Sequence, residues 1–212
     1  MVQRLSLLGT VSPEERVMAA KCLRSISGMD PRPLETVREV WEPRFRYDAS
    51  VASTPGQASQ VEQYRLFVVA SGGKRFLESY EIPEPGRNMK VVSQSVLSSE
   101  FLGNESADVP GFLAELGYEK KSVHVLRGEE YVLHDDVIVH MFQLYSADGE
   151  LLDESQQNTV IAHVDVRSVR DLQAVQRGTQ LLLGIQQELR GVVVLRIPNR
   201  NSFNTRMPRL QV

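Results

Sequence analysis

The sequence predicts an α+β fold that is mainly β: a multistranded antiparallel β-barrel, or a strongly curved sheet, braced by about three helices. Three observations predict it. Eight or nine runs of β-branched, aromatic and aliphatic residues stand against only three helical patterns. The links between those runs are too short for parallel crossovers, so neighbours pair antiparallel. Glycine pairs and capping residues sit where hairpins and helix ends are needed. Two stacked sheets are the other arrangement this tally allows, and a barrel has the advantage of leaving no exposed edge.

The elements follow in order. Leu5 to Val11 reads as a strand, and Ser12-Pro13-Glu14-Glu15 as a helix start: serine cap, proline in the first turn, glutamate three residues on to close a capping box. Ala19, Cys22, Leu23 and Ile26 lie at helical spacing and predict the buried face, and Gly28 ends the helix. Pro31 and Pro33 keep the next link extended before a strand from Val37 to Phe45 that carries Trp41. Residues 48–60 are rich in Ser, Ala, Gly and Pro and predict a mobile surface loop. Strands are expected over Val61–Ala70, Lys74–Ile82 and Met89–Leu97, with a tight turn at Gly72-Gly73 and a looser link over Pro83–Gly86.

Asp108 caps a short helix with Pro110 in its first turn. Phe112, Leu113 and Leu116 form its predicted apolar face, and Gly117 stops it. Tyr118–Arg127 reads as a strand, and Glu130–His134 with Val137–Tyr145 as a hairpin around Asp135-Asp136. Residues 147–158 are a polar loop, also expected to be mobile. In the next strand, Thr159–Val166, Val160, Ala162, Val164 and Val166 alternate with Ile161, His163 and Asp165. Ser168 and Asp171 offer a cap for a helix reaching about Leu189, whose face is Leu172, Val175, Thr179, Leu182 and Leu189. Gly178 and Gly184 each cost that helix roughly 1 kcal/mol relative to alanine, so close packing on a sheet is expected at both. Val192–Ile197 reads as a last strand, followed by a polar tail. No repeat or composition break divides the 212 residues, which predict one domain over 1–212.

Composition narrows the function classes. The chain is 42 % hydrophobic and 24 % charged, with net charge −3 and a pI near 5.9. That balance supplies no general field for holding nucleic-acid phosphates, although Arg196, Arg200, Arg206 and Arg209 form one candidate basic patch. The single cysteine, Cys22, excludes an internal disulfide, fits a reducing compartment, and is expected to pack rather than react. No window reaches the ~20 apolar residues of a helical membrane span. The first nine residues have too short an apolar region and no cleavage site for a secretion leader, so the Asn104-Glu105-Ser106 sequon reads as a chance match.

Several runs carry a resemblance. Leu5-Ser6-Leu7-Leu8-Gly9-Thr10-Val11 precedes a helix; Phe112-Leu113-Ala114-Glu115-Leu116-Gly117-Tyr118 precedes Val125-Leu126-Arg127-Gly128; and Val137-Ile138-Val139-His140-Met141-Phe142 follows. This order is similar to the Mediator complex subunit 18 family, which shows a Phe-Leu-x-x-(Leu/Met)-Gly-(Phe/Tyr) run and then a strand-to-glycine step. The likeness spans most of the chain and is specific over Phe112–Tyr145; residues 48–60, 147–158 and the tail after Pro198 match no family pattern. The resemblance implies a barrel with flanking helices in the Mediator head module. It implies pairing with Mediator subunit 20, acceptance of a C-terminal helix of Mediator subunit 8, a nuclear location, and regulation of RNA polymerase II transcription without chemistry of its own. It transfers no catalytic, metal or cofactor residue.

The competing class is a metal-dependent triphosphate-tunnel phosphohydrolase, which places Glu-x-Glu-x-Lys on one strand so that both carboxylates reach an ion. Glu78 and Glu81 are three apart, and Glu129 and Glu130 adjacent, so neither pair shares a face. A two-residue turn at Asp135-Asp136 pairs Tyr131 with His140 and puts His134 and His140 on opposite sides, which predicts turn-end and surface histidines rather than ligands. His163, Asp165 and Arg167 line one side of a strand as a solvent-facing or barrel-interior polar row, with no nucleophile at defined spacing. The Asp135-Asp136 and Glu129-Glu130 acids lack calcium-loop spacing, and Gly72-Gly73-Lys74 lacks the remaining residues of a phosphate loop. A small-ligand barrel is a third possibility, decided by whether the interior is open or filled. The reading that results is a non-enzymatic adaptor with some apolar surface left uncovered for docking.

Overall fold

A computed structural model describes residues 1–45, 63–84, 89–102, 108–133, 137–168 and 170–207. The elements are β1 (Val2–Val11), α1 (Arg16–Ser27), β2 (Arg32–Pro43), β3 (Leu66–Ser71), β4 (Lys74–Tyr80), β5 (Val92–Glu100), α2 (Val109–Glu115), β6 (Tyr118–Val132), β7 (Ile138–Ser146), β8 (Asn158–Val166) and α3 (Leu172–Glu188), with a short 3-10 turn at Arg200–Phe203. The eight strands close a barrel in the order β1-β5-β4-β3-β2-β6-β7-β8. Every pair is antiparallel, and β1 shuts the barrel by pairing β8 from Gln3↔Val166 to Val11↔Asn158. The predicted loop over 48–60 lies outside the described residues.

Closure gives each strand an inner and an outer side, and the helices lie outside. Leu5, Leu7, Val139, Met141, Val160, Ala162 and Val164 point outward from β1, β7 and β8 into one large core. Ala19 and Leu23 of α1 cover it from one side, and Leu182, Ile185 and Leu189 from α3. A smaller core on the other wall joins Trp41, Val68, Val109 and Leu113 beneath α2. The alternation read in β8 is therefore real, but its polar side turns into the barrel rather than to water.

Local signals hold where they depend on a few adjacent residues. Ser12 Oγ accepts the Glu15 N–H at 3.3 Å and donates to Glu15 Oε2 at 2.9 Å, and Gly28 closes α1 at φ +66°. Asp108 Oδ1 accepts the Gly111 N–H at 2.8 Å, and Asp171 Oδ1 accepts the Ala174 N–H at 3.0 Å. Gly72 and Gly73, both at positive φ, form the two-residue turn between Ser71 and Lys74. The polar loop after β7 is held by Leu152 N–H on Leu144 O and by a Tyr145↔Leu151 bridge.

Other expectations are corrected. Tyr118–Val132 is one continuous strand, because Gly128 lets β7 approach closely: a β-carbon there would stand 2.1 Å from the Met141 carbonyl oxygen. The β6–β7 register pairs Glu130 with His140 and Tyr131 with Val139, one step from the expected pairing, and Leu133 N–H reaches Val137 O. In α2 the buried pair is Val109 and Leu113, whereas Phe112 and Leu116 are 46 % and 54 % exposed. Leu172 is exposed, so the buried face of α3 begins further on. Gly178 packs as expected, 2.9 Å from Leu5 Cδ1 by its virtual β-carbon, but the space over Gly184 is empty to 4 Å. Val192–Ile197 is not a ninth strand, since β1 already spends one edge on β8 and half of the other on β5. Beyond the β5 pairing, Leu8 and Arg196 exchange two backbone bonds of 2.9 and 2.6 Å, and Gly9 leaves room for the Val194 carbonyl. The tail is docked across the barrel end: Arg200 Nε donates to Pro83 O, Thr205 Oγ1 to Tyr80 O, and Arg65 N–H to Thr205 O.

Candidate functional site

The barrel interior gathers the titratable groups. On β1, Arg4 forms a two-pronged pair with Asp165 of β8, Nε to Oδ1 at 2.8 Å and Nη2 to Oδ2 at 2.7 Å. His163, on the same side of β8, is 5 % exposed and meets the His140 ring edge-on at 5.2 Å. His140 Nε2 lies 3.1 Å from Glu130 Oε2 of β6. A polar chain Arg4–Asp165–His163–His140–Glu130 thus crosses four adjacent strands. Further around the wall, the Tyr80 hydroxyl donates to Glu78, and the Arg38 guanidinium sits 4.1 Å over the Phe67 ring and 5.1 Å from that of Tyr80. Arg38 Nε is buried and has no hydrogen-bond partner among the described residues.

Burial sets the electrostatics. It drives His163 down to about 3, with Arg4 and His140 adding to the effect, and it lowers His140 despite the opposing pull of Glu130. Both imidazoles are neutral at physiological pH. Burial works against the Asp165 charge, but Arg4 outweighs it and holds the carboxyl below the usual aspartate value. The Tyr80 phenol is pushed up to about 12 by burial and then by Glu78. The lumen acids are each tied to an arginine, a histidine or a tyrosine, and among the described residues no three His, Cys, Asp or Glu side chains converge as a metal set.

The expected positions sort as follows. Glu78 points inward, while Glu81 lies past the end of β4 with its N–H on Ser95 O. Glu130 faces the lumen, and Glu129 faces α1, where it accepts from Tyr131 at 2.8 Å. The surface reading of the histidines is overturned for His140, whose side of β7 is internal, while His163 takes the barrel-interior alternative; His134, Asp135 and Asp136 lie outside the described residues. Of the polar row, His163 and Asp165 share the lumen, whereas Arg167 is past the strand and exposed. Cys22 is half-buried against the large core. The arginines of the candidate basic patch go to separate places: Arg196 beside Leu8, Arg200 on Pro83 O and Arg206 over the Tyr64 ring, with Arg209 outside the described residues. Arg4, Arg38 and Tyr80 were not singled out by sequence, since only the β1–β8 seam brings Arg4 opposite Asp165.

The outer surface keeps apolar groups in the open. Phe112 and Leu116 face outward from α2, where Phe112 touches Phe101 edge-on at 6.4 Å. A groove of about 290 Å³ beside α3 has Val137, Leu181, Gly184 and Ile185 at its floor and walls, together with Arg177, Gln180 and Glu188. These are the uncovered patches expected of a docking protein.

Comparison with known proteins agrees with this architecture. Mediator of RNA polymerase II transcription subunit 18 from Yarrowia lipolytica is 28 % identical, covering 97 % of this chain and all of that protein. The Kluyveromyces lactis protein of the same description is 22 % identical over 99 % of this chain and its own full length. A chain in the structure of the Schizosaccharomyces pombe Mediator head module superposes with TM-score 0.73 at 17 % identity, covering 92 % of this chain and 98 % of that one. The structure of PH1819 protein from Pyrococcus horikoshii has the same fold at TM-score 0.57 and 15 % identity, covering 92 % and 94 %. The family model described as Med18 protein matches residues 69–206, well over half of the chain, and the chain belongs to that family.

Proposed function

We propose that this protein is a structural adaptor subunit of the Mediator head module, regulating RNA polymerase II transcription through protein contacts made on the outside of its barrel. The observation that carries the proposal is the family match, extended over nearly the whole chain by the Yarrowia lipolytica relative. The geometry supports it. The lumen acids are occupied by neighbouring side chains, and the outer helices expose apolar side chains, among them Val17, Met18, Phe112 and Leu172. In this reading the protein acts in the nucleus, pairs with Mediator subunit 20, holds a C-terminal helix of Mediator subunit 8, and carries out no reaction.

Copurification tests the assembly: tagged protein brings down subunits 8 and 20, and a preparation that is intact yet free of both overturns the proposal. A second measurement addresses chemistry. Incubated with manganese and a nucleoside triphosphate, the pure chain releases no phosphate above buffer. Release that disappears in Glu78→Gln or Glu130→Gln would instead restore the tunnel phosphohydrolase.

A further inference from the structure

Along the β1–β5 seam each strand overshoots the other, and the two overhangs are treated differently. At one end β1 runs past β5, and Leu8, beyond the last pair Ser6↔Val92, exchanges both backbone bonds with Arg196. At the other end the last pair is Val2↔Val96, whereas β5 continues to Glu100. Hydrogen-bond parity tells which groups are left over there. Glu81 N–H bonds Ser95 O and Phe101 N–H bonds Arg75 O, so the odd-numbered residues of β5 turn their backbone toward β4. Ser98 and Glu100 turn theirs to the side that β1 has left, and those N–H and C=O groups have no partner among the described residues. Leu97, Ser98, Ser99 and Glu100 are all exposed.

Open strand ends of this kind invite pairing, and other overhangs of this barrel carry protection. Where β2 runs past β3 it contains Pro33, which has no N–H to offer. Where β6 precedes its pairing with β7, a register shift interrupts it and Glu119, Lys120 and Lys121 are exposed. The end of β5 has no proline, lysine or register shift, and its one charge, Glu100, is paired with Lys74 at 3.1 Å. Its two sides differ in chemistry. Leu77, opposite Ser99, lies in the smaller outer core, so Leu97, Ser99 and Phe101 face outward, and Leu97 is 51 % exposed. Ser98, opposite Glu78, faces the lumen.

The free backbone groups decide what fits. A helix spends its own N–H and C=O groups internally and cannot answer them, whereas an extended chain can. We infer that the end of β5 accepts an extended segment of a partner protein as an added strand, antiparallel to β5 in the line that β1 vacates. Its residues opposite Leu97 and Ser99 face outward and are apolar, joining Leu97 and the Phe101–Phe112 pair; those opposite Ser98 and Glu100 face the lumen side and are small and polar. The inference rests on the adaptor reading and names the form of one contact within it.

The test uses the purified, isotope-labelled full chain and a synthetic peptide of alternating valine and threonine with an arginine at each end for solubility. Titration shifts the amide signals of residues 97–101. In the inferred register the threonines pair with Ser98 and Glu100, so N-methylation of the threonines abolishes the shifts and N-methylation of the valines leaves them. Ser98→Pro removes an edge N–H and no backbone bond to β4; it weakens binding about tenfold or more at an unchanged thermal midpoint. Ser99→Pro is the parity control: its N–H serves β4, and the midpoint falls. Without peptide the chain is a monomer by native mass. A dimer that Ser98→Pro dissolves would make a second copy the occupant and overturn the inference. Equal effects of the two methylations, shifts elsewhere on the barrel alone, indifference to Ser98→Pro, an unchanged midpoint in Ser99→Pro, or no binding at all also overturns it. Because the assay contains no Mediator subunit, its failure alongside intact copurification removes the edge assignment alone.

Discussion

Gly178 and Gly184 have one composition and two physical roles. Gly178 lets α3 lie against Leu5 and Val164, so Gly178→Ala pushes a methyl into Leu5 and destabilises the chain by about 1–3 kcal/mol. Gly184 meets nothing within 4 Å, and the isolated protein gains nothing from it. Gly184→Ala is therefore expected to raise stability by about 1 kcal/mol, the helix-propensity difference. Urea unfolding of the two variants gives opposite signs; equal signs would mean that the groove beside α3 closes in solution. Sequence supplied the cost of both glycines, but only packing distinguishes them.

At the level of elements, cap chemistry is local and was legible. Asp108, Pro110 and Gly117 define α2 from adjacent residues, and Asp108→Ala costs about 1 kcal/mol with faster exchange of the Gly111 amide. Unchanged exchange there would show that the first turn is held by packing of Val109 rather than by the carboxylate. Faces were less legible than ends. The run Phe112-Leu113-x-x-Leu116 looks like a buried stripe, yet Val109 and Leu113 take the core because the helix meets the sheet along that line. The β6–β7 register differs by one residue for a comparable reason: adjacent residues do not fix which partners face each other across a hairpin, and Leu133 meets Val137 rather than Ile138.

For the whole molecule, closure determines what titrates. His163 faces His140, Arg4 and Asp165 inside the barrel, and both histidines are held below the value of about 6.5 that they take in an unfolded chain. Above that pH both states are neutral and the full stability is present. As pH falls below 6.5 the unfolded chain takes up protons that the folded one refuses, in the case of His163 down to about 3. Stability therefore drops, by about 1.4 kcal/mol per pH unit for each proton of difference. The lowered Asp165 adds its own loss only below the usual aspartate range. Thermal midpoints measured from pH 7.5 to 4 should fall, and His163→Gln should flatten the slope; an unchanged slope would place His163 in contact with water. Alternation in Thr159–Val166 showed two faces, but no local pattern says whether a polar face meets water or a lumen. That depends on a strand more than 150 residues away, since Arg4 and Asp165 are separated by 161 positions.

The seam between β1 and β8 has a consequence for biosynthesis. Within this chain β1 meets β5 first, while its second edge stays open until β8, more than 150 residues further on, has been made, and Leu5 and Leu7 wait for the cover of α3 after that. A nascent chain of this kind keeps sticky apolar surface open while the intervening strands are made, completes its shell late, and gains from any holding factor that shields β1 meanwhile.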